Sequence, residues 1–198
     1  MISPDQGSVF LSGKQVHIFD PSSFISEGVS HIPEDRNLQG LVGDMSIADN
    51  LVLKETGNPE FSNGIFLKQG VINTYAQELI RKYDIRCQGY DQDVRSLSGG
   101  NQQKVILARW MSTKVDIIIF DEPTKGVDVG AKAEIYRLME EMIQNGKSII
   151  VISSELPEVM GLSDRIVVMG EGRVNKVLNR NEFGTSDQML DYAIGGNE

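Results

Sequence analysis

The strongest constraint on the fold of this chain is the run Ile117-Ile118-Ile119-Phe120, closed by the adjacent carboxylates Asp121 and Glu122. A continuous apolar run between polar residues is the mark of a parallel strand buried on both faces, and in such sheets chemistry collects at the carboxyl ends of the strands. Successive side chains on a strand point opposite ways, so one acid can hold Mg2+, usually through water, while the other polarises an attacking water. A solvated turn before Pro123 would explain the polarity of the pair, but not the fully apolar strand that precedes it.

One helix length upstream lies LSGGNQQKV, Leu97 to Val105. Ser98 is placed to cap a helix whose first turn contains Gly99 and Gly100, so unpaired N–H groups and the positive end of the helix dipole face whatever lies in front. Two glycines let the backbone approach a phosphate closely, the Ser98 hydroxyl adds a donor, and the Asn101 and Gln102 amides can add contacts. A bare SGG would be read as an ordinary capped helix with a permissive turn. The anion-site reading is preferred because a second, independent phosphate and metal signal follows it.

Length and composition bound the rest. At 198 residues, 40% of them hydrophobic, the chain can build a sizeable core as one domain with a lobe. Its net charge is −9, and the first 60 residues hold nine acidic against three basic side chains, which argues against a nucleic-acid partner. The single cysteine, Cys87, has no partner for an internal disulfide and no metal-ligand spacing, which fits a reducing compartment. No apolar run approaches the roughly 20 residues that span a bilayer, and MISPDQGS lacks the plan of a signal peptide, so membrane contact is expected to go through another protein.

Along the chain, alternation about Ser12-Gly13 predicts a hairpin over Ser8 to Val16. Within it, Ser8 to Gln15 imitates a phosphate-binding loop but lacks the first glycine and the hydroxyl residue after Lys14. Pro21 to Gly28 reads as a short helix and Val29 to Ile32 as a strand. PEDRNLQG breaks regularity, and helical spacing begins at Met45 behind Ser46. Lys54 to Gly64 is a loop, and a helix runs from about Phe66 to Tyr83 with Ile72, Ala76, Leu79 and Ile80 inward. Beyond the acids, Ala133 to Gln144 is a helix, Ser148 to Ile152 a further buried strand, Asp164 to Met169 and Arg173 to Val177 strands about Glu171-Gly172, and Ser186 to Ile194 a final helix. The alternation of strands and helices implies a parallel sheet.

LSGGNQQKV with IIIFDEPTKGVDVGA resembles the ATP-binding subunit of an ABC transporter. The first motif is similar to its signature loop, Ile117 to Asp121 to its Walker B strand, Glu122 to its catalytic glutamate, and Gly126-Val127-Asp128 to its D-loop. IPEDRNLQGLV and VISSELPEVMGLSDRIVVMGEGRV narrow the resemblance to the second ATP-binding half of importers of ribose, xylose, galactose and related solutes. The resemblance implies an α/β, P-loop NTPase-like ABC ATPase core with a mostly parallel sheet, incomplete at its N-terminus, over residues 1–35 and 113–198, with a helical subdomain over 36–112. It implies ATP and Mg2+ as cofactors, with Asp121 at the metal, Glu122 and Ser154 catalytic, and Ser98, Gly99, Gly100, Gln102, Asp128 and Glu34 at nucleotide. Because such domains pair head to tail, the signature would contact the γ-phosphate of ATP held by a second nucleotide-binding domain. The further partners implied are a transmembrane permease and, through it, a solute-binding protein, at the cytoplasmic face of the plasma membrane.

Two positions depart from the family pattern. Glu34 stands where most members have a Q-loop glutamine and Ser154 where they have the switch histidine; an ionised Glu34 cannot donate a hydrogen bond and Ser154 cannot accept a proton as imidazole would. Glu34 is also readable as a charged loop residue, and Ser153 or Ser154 as the cap of the helix containing Pro157. His17 and His31, on or beside predicted strands, read as structural. The family's G-x-x-G-x-G-K-S/T loop is expected upstream of this sequence, and without it most of the electrostatic stabilisation of phosphoryl transfer is lost. The chain is then a piece of a longer ATPase, one half of a split one, or a non-catalytic remnant that supplies the signature loop in trans, and apolar sheet surface is expected to be exposed. A chromosome-maintenance ATPase also carries an LSGG-like motif, but needs long heptad arms that the interval Glu34 to Leu97 does not provide.

Overall fold

The structure is a computed structural model and describes residues 4–17 and 19–195. It divides into two compact units, one up to Ile150 and one from Val151 onward. In the first, the expected hairpin pairs β1, Val9–Leu11, with β2, Lys14–Val16, antiparallel. Its two turn residues both lie at positive φ, 48° for Ser12 and 78° for Gly13, which matches the twist of the flanking strands. The phosphate-loop imitation in this stretch is therefore spent on a hairpin.

Helix α1, Pro21–Ser26, begins on Asp20, whose carboxylate accepts the Ser22 and Ser23 N–H groups at 3.0 Å each. Strand β3, Val29–Ile32, follows. PEDRNLQG is not irregular throughout: Arg36–Gly40 closes a wide π-type turn started by Asp35, which accepts the Asn37 and Leu38 N–H groups. Helix α2, Ile47–Val52, starts on Ser46 as expected and buries Ile47, Leu51 and Val52. A small hairpin unmarked in the sequence, β4 Ser62–Asn63 with β5 Phe66–Leu67, then takes the first residues assigned to the next helix. Helix α3 thus begins later, as Gln69–Lys82, with Ile72, Ala76 and Leu79 buried as expected and Ile80 only partly so.

Helix α4, Gly99–Met111, is the centre of this unit, because every residue from Gln102 to Trp110 is buried. Its two buried cations find partners inside, although the Arg109 Nε is left without one among the described residues. Lys104 Nζ donates to the Asp84 carbonyl at 2.8 Å and is ion-paired with Glu134. Arg109 Nη2 donates to the Gly40 carbonyl at 2.5 Å, and burial pushes its guanidinium down to about 10, still charged at neutral pH. Gly100 faces α5, Val129–Gln144, so closely that a Cβ there would stand 2.6 Å from the Ala131 Cβ. That helix begins four residues before the predicted start because Asp128 caps it, accepting the Ala131 N–H at 3.0 Å.

Strand β6, Ile117–Asp121, forms where the apolar run placed it, central in the order β3-β6-β7 and parallel to β3, with His31 opposite Ile119 and Ile32 opposite Phe120. Ile118 and Phe120 are fully buried. Strand β7, Ser148–Ile152, was expected to be buried, but Ile150 and Ile152 are each 51% exposed, so one of its faces is uncovered. Apolar sheet surface is thus exposed, as expected.

The second unit holds α6, Leu156–Leu162, then β8, Arg165–Gly170, and β9, Arg173–Asn179, paired antiparallel, and α7, Ser186–Ala193. Ile166, Val168, Leu178 and Met189 form its core. Thr185 and Gln188 start α7 with reciprocal side-chain bonds to each other's backbone N–H.

Candidate active site

Parallel pairing of β3 with β6 brings two loops out at the same edge of the sheet. The register that sets Ile32 beside Phe120 carries Glu34 and Arg36 on one loop toward Asp121, Glu122 and Lys125 on the other. The two loops are joined in two ways: Lys125 Nζ donates to the Glu34 carboxylate, and Arg36 Nη1 donates to the Lys125 carbonyl at 2.9 Å. The Glu34 carboxylate holds Lys125 above the usual lysine range, with Glu122 and Asp35 adding to the effect. Both side chains are well exposed, so this pair marks the mouth of the site and adds little stability.

Asp121 ends β6, with its side chain 32% exposed. His31 Nε2 lies 3.8 Å from its Oδ2, because Ile119 and Asp121 share a face with the residue opposite Ile119. The sequence read His31 as a structural histidine; only the register of the sheet places it against the acid. Glu122 is at φ 48°, in the left-handed region. Alternation along the strand therefore stops at Asp121, and the turn, rather than the pleat, aims Glu122. The turn continues through the Lys125 N–H, which donates to the Glu122 carbonyl at 3.1 Å, to the cap residue Asp128.

Among the described residues there is no group of three or more His, Cys, Asp or Glu side chains able to hold a metal ion by themselves. Mg2+ characteristically takes only one or two carboxylates and completes its shell with water and phosphate oxygens. The donor set at the end of β6, one half-exposed aspartate with a second acid next to it, fits a metal shared with a nucleotide and not an all-protein cage.

The start of α4 lies against this edge. A Cβ on Gly99 would be 3.1 Å from the Gly126 carbonyl, and Arg36 Nε donates to Gln102 Oε1 at 3.2 Å. Ser98 occupies the cap position without making a side-chain cap bond; its exposed hydroxyl instead accepts from Asn101 Nδ2 at 2.9 Å. Asn101 Oδ1 in turn accepts the Arg86 N–H at 2.8 Å. Gln102 points inward, 6% exposed, with its Nε2 toward the Val94 and Arg95 carbonyls. Of the expected LSGG contacts, only Ser98 and Gly99 are at the surface, and Gly100 is buried against α5.

Ser154 belongs to the second unit and is exposed in the turn before α6. The helix cap position there is held by Glu155, whose N–H donates to Ser153 Oγ at 3.0 Å. Arg36 and Lys125, which tie the two loops together, were not singled out by sequence reasoning. A basic residue inside DEPTKG was the available signal for Lys125, while Arg36 sits in a stretch read as irregular.

A parallel sheet with two carboxylates at its edge and a glycine-started helix beside them is the arrangement of the ATP-binding cassette class of proteins. The ABC transporter profile matches residues 1–125, and the chain belongs to that family. The ribose import ATP-binding protein RbsA of Oceanobacillus iheyensis is 45% identical over 193 residues, covering 98% of this chain and 38% of that protein. The chain therefore spans less than half the length of the curated relatives it matches. Among solved structures, the ATP-binding cassette MJ1267 of an ABC transporter superposes with a TM-score of 0.76 at 23% identity, over 96% of this chain and 78% of that one. The dimeric cassette MJ0796 in its post-hydrolysis state superposes with a TM-score of 0.70 at 19% identity, over 92% and 77%. These two likenesses establish the fold.

Proposed function

We propose that this chain forms part of the ATP-hydrolysing subunit of an importer of ribose or a closely related sugar. The observation that carries the reading is the meeting, at one sheet edge, of Asp121 and Glu122 with the start of the LSGG helix. The solute is suggested by the name of the relative from Oceanobacillus iheyensis.

In this reading Asp121 holds Mg2+ at the nucleotide phosphates, and Glu122 takes the proton of the attacking water. Bound Mg2+ supplies neutralisation of the charge that develops on the phosphoryl oxygens. Ser98 and Gly99 present a hydroxyl and helix N-terminal N–H groups to the γ-phosphate of ATP held by a second nucleotide-binding domain, an arrangement supported by the dimeric state and the bound ADP and phosphate of the MJ0796 cassette. Glu34 lines the mouth of the site with Lys125, Asp128 sets the start of α5 beside it, and Ser154 is the polar group at the switch position. Residues 36–112 form the helical subdomain that passes nucleotide state to a transmembrane permease at the cytoplasmic face of the plasma membrane, with a solute-binding protein beyond it. No helix among the described residues is long and apolar enough to cross a membrane, which accords with attachment through such a partner.

Calorimetric ATP binding by this chain supplied with a segment carrying the family's phosphate-binding loop, with and without Mg2+, tests the site. Asp121→Asn should remove the Mg2+ dependence of binding, by about tenfold in affinity or more. Unchanged Mg2+ dependence in that variant would refute the assignment of the metal ligand.

A further inference from the structure

Arg36 links three segments that are remote from one another in sequence. Its Nε donates to Gln102 Oε1 at 3.2 Å, its Nη1 to the Lys125 carbonyl at 2.9 Å and its Nη2 to the Gly126 carbonyl at 3.4 Å. A planar guanidinium can meet three acceptors in fixed directions, which a lysine ammonium on the same stem cannot reproduce. The acceptors are held for it. Gln102 turns its Nε2 toward the Val94 and Arg95 carbonyls, which leaves Oε1 facing Arg36, and Glu34 on the same loop holds the Lys125 side chain.

Gly99 supplies an independent observation. A Cβ at that position would stand 2.7 Å from Arg36 Nη2, so the guanidinium fills the space left by the absent side chain. The proposed chemistry makes no use of Arg36.

We propose that Arg36 is a positioning residue that locks the start of α4 to the loop following Glu122, so that displacement of either segment is transmitted to the other. Its functional meaning rests on reading Asp121 with Glu122, and Ser98 with Gly99, as contributions to two ATP sites; the clamp itself is a property of the chain without nucleotide. Ligand at the signature would then register at the catalytic acids, and the reverse.

Amide hydrogen exchange on the nucleotide-free chain tests the clamp directly. In Arg36→Lys and Arg36→Ala, the Lys125 and Val127 N–H groups, bonded to the Glu122 and Thr124 carbonyls, and the Gln102 N–H, bonded to the Ser98 carbonyl, should all exchange about tenfold faster. Exchange in α3 and in the β8–β9 hairpin should be unchanged. Acceleration confined to one of the two segments, or an Arg36→Lys chain indistinguishable from wild type, overturns the proposal. In ATP turnover with a second cassette and a segment carrying the family's phosphate-binding loop, Arg36→Lys should lower kcat several-fold and leave KM unchanged; a raised KM with kcat intact also overturns it. Absence of turnover in the wild-type assembly with that loop supplied would sink the ATPase reading, while the exchange result would still decide the clamp.

Discussion

Replacing Gly100 by alanine should destabilise this chain, although alanine is the better helix former. The added Cβ would lie 2.6 Å from the Ala131 Cβ, well inside van der Waals contact, and both atoms are carried by helix backbone with no flexible side chain to yield. Separating α4 from α5 enough to relieve such a contact costs about 1–3 kcal/mol. The helix-propensity gain of alanine over glycine offsets at most about 1 kcal/mol near a helix start. The balance is a loss of about 1–2 kcal/mol. Trp110, the only tryptophan of the chain, is buried on α4, so its fluorescence reports unfolding of this helix. With a urea slope of about 1–3 kcal/mol per molar, the midpoint should fall by about 0.5–1 M. Ala131→Gly removes the opposing methyl group, and the double variant should recover most of the loss, giving a coupling of about 1 kcal/mol or more. If Gly100→Ala raises the midpoint, or Ala131→Gly fails to rescue it, the close approach of the helices is not what requires this glycine, and phosphate proximity alone would be left as its reason.

Two further outcomes follow from buried or capped charges. Arg109→Ala should lower the urea midpoint by the equivalent of about 2–4 kcal/mol, since it empties a buried volume and strips the Gly40 and Asn50 carbonyls of their donor, whereas Arg109→Met, which fills the space, should cost less. The Ser22 and Ser23 hydroxyls and N–H groups hold the Asp20 carboxyl down at about 2, against an ordinary 3.8. A carboxyl depressed on folding contributes stability that is fully present above pH 3.8 and is lost as pH falls through about 2. NMR secondary shifts of α1 should show helicity lost across that window in the wild type, and low helicity without the step in Asp20→Ala.

Much of the fold was legible because its signals are local. The hairpin at Ser12-Gly13, the start of α2 on Ser46 and the strand Ile117–Asp121 each follow from a handful of adjacent residues. What could not be read depends on partners distant in sequence. The β4–β5 hairpin took residues with acceptable helical spacing, and the exposed face of β7 reflects what lies beside it and not its own apolar composition. Burial of Lys104 and Arg109 on α4 was likewise hidden, because a charged residue signals solvent until its Glu134 or backbone-carbonyl partners are known. At the site, the acids and the LSGG turn were visible as motifs. Their neighbours were not: His31 reaches Asp121 through strand register, Gln102 turns inward to Arg36, and Glu122 is aimed by a left-handed turn where strand alternation had been assumed.

The central claim is that Glu122 is the base of an ATP hydrolysis reaction completed by a second cassette. Phosphate release from ATP, measured for the chain supplied with a segment carrying the family's phosphate-binding loop and paired with such a cassette, tests it most directly. The account expects steady turnover in the wild type and a fall in kcat of at least about a hundredfold in Glu122→Gln, with ATP affinity retained. Turnover unchanged by Glu122→Gln would contradict it.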